Sequence, residues 1–69
     1  MSNMSNPNYE ETIYYHVISK NGSEKARIVA KKYDFDEAYY LMKDLKKSNP
    51  ETNYRMTINT QSVSYLEWI

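Results

Sequence analysis

Residues 12–31 read TIYYHVISKNGSEKARIVAK, and the Asn21-Gly22 pair in the middle decides the fold. Asn-Gly suits a two-residue type I′ turn, whose two positive-φ positions match the twist of the strands on either side. With that turn Lys20 faces Ser23, and counting back sets Val17 opposite Ala26, Tyr15 opposite Ile28 and Ile13 opposite Ala30. Side chains alternate along a strand, so these pairs share one face. It is apolar throughout. The other face pairs Thr12 with Lys31, Tyr14 with Val29, His16 with Arg27 and Ile18 with Lys25, and it holds no acid.

Beyond the hairpin the period changes. Asp34 opens a D-x-x-E capping box with Glu37, in which the aspartate oxygen accepts from the N3 amide and the glutamate reaches back. Asp36 and Glu37 in the first turn and Lys43, Lys46 and Lys47 toward the end suit the helix dipole. Asn49-Pro50 closes a helix expected over 35–48. On a helical wheel Phe35, Ala38, Leu41, Met42 and Leu45 share one side, while Asp36, Tyr40, Lys43, Asp44 and Lys47 share the other.

Alternation resumes after Pro50. Tyr54, Met56 and Ile58 point one way and Arg55, Thr57 and Asn59 the other. A turn at Gln61-Ser62 would face Ile58 with Tyr65, Thr57 with Leu66 and Arg55 with Trp68, giving a last strand near 63–69.

The expectation is an α+β fold. A small antiparallel sheet of three to four strands (near 10–20, 24–33, 53–60 and 63–69) carries one amphipathic helix on one face, in ββαβ or ββαββ order. The expected core is Ile13, Tyr15, Val17, Ala26, Ile28, Leu41, Met42, Leu45, Met56 and Ile58, with Tyr54 and Tyr33 at its edge. Residues 1–8, small and polar, are read as a disordered tail, with an ordered arm pairing with a neighbour as the alternative, and 9–69 as a single domain. SNP-NYEETI over 5–13 and SNP-ETNYRMTI over 48–58 suggest a short repeat relating Ile13 to Ile58.

Composition narrows the function. Sixty-nine residues without cysteine have neither disulfide nor thiolate metal site to support a thin core. One histidine is too few for a zinc site. Nine basic and nine acidic residues cancel, so any attraction for nucleic acid must come from a local patch. No apolar run reaches the ~20 residues of a membrane span, and MSNMSNPN lacks the basic and apolar regions of a secretory signal. The expected compartment is the cytoplasm. Asn, Lys, Tyr and Ile supply 27 of the 69 residues, and their AT-rich codons suggest a low-GC bacterium or its phage.

No residue set points to catalysis. The lone glycine serves the turn, His16 has no placed partner, and Asp34, Asp36 and Glu37 are accounted for by the helix start. The chain is therefore read as a non-enzyme with no cofactor.

The candidate interaction face is the side of the sheet without a helix: Tyr14, His16, Ile18, Lys25, Arg27, Val29, Lys31 and Arg55, joined by Leu66 and Trp68 if the last strand pairs. A free antiparallel face should be plainly polar, and this one is mixed. Three readings compete. Lys and Arg stems cover scattered apolar groups; or the face contacts a protein, either a second copy in a homodimer or an unidentified partner; or bases stack on its aromatics while cations hold phosphates. Protein contact is the first choice and nucleic acid the second. Tyr40, among charges on the outer helix face, is a candidate anchor for a partner.

Overall fold

A computed structural model describes residues 11–69. The tail expected over 1–8, the start of the domain at residue 9 and most of the first repeat segment lie outside the described residues. The elements run β1 (Tyr14–Lys20), β2 (Arg27–Lys32), α1 (Phe35–Ser48), β3 (Asn53–Asn59) and β4 (Glu67–Trp68). The strands form one antiparallel sheet in the order β2-β1-β3-β4, with α1 on one face. The fold class and the helix bounds agree with the sequence reading.

The hairpin register does not. Asn21 and Gly22 do not form a two-residue loop. Gly22, at φ +53°, takes the first central position of a turn closed by the Glu24 amide donating to the Asn21 carbonyl at 2.9 Å. The connection between strands runs from residue 21 to residue 26. Val17 consequently pairs with Ala30 instead of Ala26, and Tyr15 with Lys32 instead of Ile28. A bulge then intervenes, and Ile18 pairs with Ile28 instead of Lys25. One inserted residue flips the faces on either side of it. It lets Ala30 meet Val17 on the helix face while Ile28 meets Ile18 on the other. Of the expected core, Ile28 at 52% exposure, Ile13 at 50% and Ala26 lie outside it, and Ile58, half-buried, is not among the residues packed around it. Ile13 also precedes β1 where Ile58 lies within β3, so the repeat has no counterpart in the strands.

On the helix face the alternation holds. Tyr15, Val17 and Ser19 of β1 pair with Ile58, Met56 and Tyr54 of β3. Val17, Ala38 and Met56 are fully buried, Met42 and Tyr54 nearly so, and Tyr15, Ala30, Tyr39, Leu41 and Leu45 pack around them. Tyr33 is well exposed and joins the opposite side. Asp34 caps α1 by accepting from the Glu37 amide at 3.1 Å, the one half of the capping box that forms among the described residues. At the far end Asn49 gives both its backbone N–H, at 2.8 Å, and its side-chain Nδ2, at 3.2 Å, to the Leu45 carbonyl. Among the described residues no helix is long and apolar enough to cross a membrane.

Candidate interaction face

Directly opposed residues of antiparallel strands share a face, so the registers place the side chains behind the helix in rows. One row runs Ile28, Ile18, Arg55 and the next Lys31, His16, Thr57, Trp68; beyond them Tyr14 faces Asn59. No carboxylate stands in these rows. Glu67 pairs with Ile58 and so belongs to the helix side.

The face is partly roofed by the chain's own C-terminal segment. β4 is only two residues long, not the strand expected over 63–69, and Trp68 pairs with Thr57 instead of Arg55. The two-residue slip preserves the face and moves the partner. Its cause is a loop longer than the Gln61-Ser62 turn, in which the Thr60 amide donates to the Val63 carbonyl at 2.8 Å and Tyr65 adopts a left-handed φ of +58°. Three sets of bonds hold the segment down. The Leu66 and Ile69 amides donate to the Ile58 and Met56 carbonyls. The Tyr65 amide donates to Asn59 Oδ1, while Asn59 Nδ2 donates to the Thr57 carbonyl and Oγ1. The Glu11 carboxylate accepts from the Ser62 amide at 3.0 Å and its hydroxyl at 2.8 Å. Those Ser62 bonds hold the Glu11 pKa below its ordinary 4.5. Thr57 and Asn59 are completely buried as a result.

The rings form a chain across the face. Tyr33 lies 6.1 Å from Tyr14, Tyr14 5.2 Å from His16, His16 6.1 Å from Tyr65, and Tyr65 5.6 Å from Trp68, all centroid to centroid. Both cations of the rows sit on ring faces. Lys31 Nζ is 4.3 Å from the Tyr14 centroid, and the Arg55 guanidinium 5.0 Å from that of Trp68. Burial first, and the charge of Lys31 second, lower the His16 pKa, and His16 Nδ1 is buried without a hydrogen-bond partner. A neutral, half-buried imidazole here is a packing element of the ring chain.

Of the residues expected on this face, Tyr14, His16, Ile18, Lys31, Arg55 and Trp68 come together. Arg27 does not: it pairs with Ser19 and turns to the helix side, displaced by the longer hairpin loop. For the same reason His16 has Lys31 as its cross-strand neighbour instead of Arg27. Lys25 lies in that loop, and Val29 is the residue passed over at the bulge. Tyr33, Ile28 and Tyr65 join the face without having been expected there. Strand alternation carries no signal for Tyr65, which stands in a loop. Tyr40 projects from the outer helix face as expected, its ring edge-on to Tyr39 at 5.5 Å. No protein-family model, curated protein or solved structure matches this chain.

Proposed function

We propose that this chain is a non-enzymatic binding protein acting by protein–protein contact through the face behind the helix, in the manner of a small phage or bacterial accessory factor, with the cytoplasm as its compartment. One observation carries the reading. The helix face has its own cover, whereas the other face keeps Ile28, Tyr33, Tyr65 and Trp68 exposed around the ring chain. Aromatics and arginine with few acids make up the central part of protein interfaces. Lys31 and Arg55 rest on rings, which orders both cations within the face.

Self-association through this face is the form of contact that needs no other molecule, and a homodimer is expected. The free edge of β2 is a poorer surface for it, because a bulge and the Arg27, Lys31 and Lys32 side chains oppose strand addition. The second reading is a nucleic-acid platform, favoured by the lack of acids in the rows. Titration with a labelled single-stranded oligonucleotide separates the two. Binding that falls steeply with added salt supports the platform; no binding at low salt, with sedimentation showing a dimer that salt barely affects, supports protein contact.

A further inference from the structure

The end of the sheet nearest the hairpin loop holds a cleft of about 630 Å³, between the end of β1, the start of β3 and the loop after α1. That volume falls within the roughly 300–1,000 Å³ of ordinary ligand clefts. Three cations line it, Lys20, Lys46 and Arg55, together with Ile18 and Trp68, and no carboxylate does. In a chain whose nine basic and nine acidic residues balance, this is a local excess of positive charge.

Two of these cations have fixed places. Lys20 Nζ donates to the Gly22 carbonyl at 2.7 Å, and Arg55 lies over the Trp68 ring. Groups already ordered lose less freedom on binding. Lys46 stands in the last turn of α1, where Asn49 occupies the Leu45 carbonyl and so answers part of the negative helix end. Ile18, Arg55 and Trp68 also belong to the interaction face, so the cleft continues it without a break.

We infer that the cleft receives an acidic side chain of a partner protein, its carboxylate among Lys20, Lys46 and Arg55 and an apolar neighbour against Ile18 and Trp68. This inference rests on the protein-contact reading and specifies the partner's chemistry. A nucleic-acid strand fits less well. Its evenly spaced phosphates call for cations along a track, whereas these three line one cleft beside an aliphatic wall.

The test is selection of a random displayed peptide library on the immobilised full-length chain. Selected sequences should place Asp or Glu beside Leu, Ile, Phe or Trp. Synthetic copies should bind Lys46→Gln about tenfold more weakly than the unaltered chain, as expected for loss of one close charge pair. Changing the peptide's acid to its amide should weaken binding to the unaltered chain by a larger factor than it weakens binding to Lys46→Gln, a cycle that isolates the pair from any effect on folding. Lys20→Gln should behave in the same direction. Selected peptides that lack acids, bind Lys46→Gln normally and are lost on Ile28→Asp overturn the cleft inference and leave the face reading standing. A library that yields nothing overturns the inference, and nothing from the library together with salt-sensitive oligonucleotide binding overturns both.

Discussion

The two faces of the sheet are made by the same strands and are buried by different means. On the helix face Val17, Ala38 and Met56 lose all contact with solvent under a helix of 14 residues whose apolar stripe matches the strand alternation. On the other, Thr57 and Asn59 are buried beneath a short C-terminal segment that the Asn59 side-chain amide helps to hold, beside a line of rings that itself stays half in solvent. A face covered by regular structure is finished and supplies stability. A face covered by a short loop-held segment keeps apolar surface for a second molecule.

The largest effect should come from the finished face. Met56→Ala removes a side chain with no exposure, and such truncations cost about 2–5 kcal/mol. That equals most of the roughly 3–5 kcal/mol available to a chain of this size, so circular dichroism at room temperature should show a substantial unfolded population and a sharply lowered urea midpoint. A folded Met56→Ala chain with an unchanged urea midpoint would make the two faces equivalent.

Asn59→Ala probes the other face. It removes the acceptor for the Tyr65 amide and the donor to Thr57, and a buried group left unpaired costs roughly 1–3 kcal/mol. The unfolding midpoint should fall less than for Met56→Ala, and hydrogen exchange should quicken at Tyr65, Leu66 and Ile69 more than at Val17 or Met56. Uniform quickening would mean that the segment and the core open as one unit.

Acid should sharpen the contrast further. His16 has a depressed folded pKa, so its contribution to stability is complete above the ordinary imidazole value of 6.5 and declines as pH falls through the lower folded value. His16→Gln should flatten that part of the pH–stability curve. Glu11 is depressed below 4.5, so its hold on Ser62 is complete above that pH and lost below it, as the folded-state carboxyl protonates. Protection of the Ser62 amide should weaken there, and should disappear at neutral pH in Glu11→Ala, which has no acceptor, while the unfolding midpoint at neutral pH barely moves.

Much of the architecture was legible because periodicity and caps are local. The strand period put Tyr54, Met56 and Ile58 on one face and Arg55, Thr57 and Asn59 on the other, and Asp34 with Asn49-Pro50 marked the helix ends. The hairpin register was not legible. Asn-Gly permits a tight I′ turn, but Gly22 also serves the first position of a longer loop, and the choice between them is made by distant packing: the bulge gives Val17 and Ile18 each an apolar partner, on opposite faces. The candidate face was visible from β1 alone, whose alternation fixes Tyr14, His16 and Ile18 whatever β2 does. Tyr65 and the roof over Asn59 were invisible, because a left-handed tyrosine in a loop follows no period.

The smallest effect on stability should come from the exposed surface, where contact with a second molecule is decided. Tyr40→Asp on the outer helix face, and Ile28→Asp on the candidate face at concentrations where the unaltered chain is monomeric, should each change the unfolding free energy by no more than about 0.5 kcal/mol. Sedimentation of the unaltered chain at micromolar concentration, beside these two variants, is the decisive measurement. A dimer is expected for the unaltered chain and for Tyr40→Asp, and a monomer for Ile28→Asp. A dimer that survives Ile28→Asp and is lost on Tyr40→Asp, or a sharp monomer for all three, would contradict self-association through the candidate face.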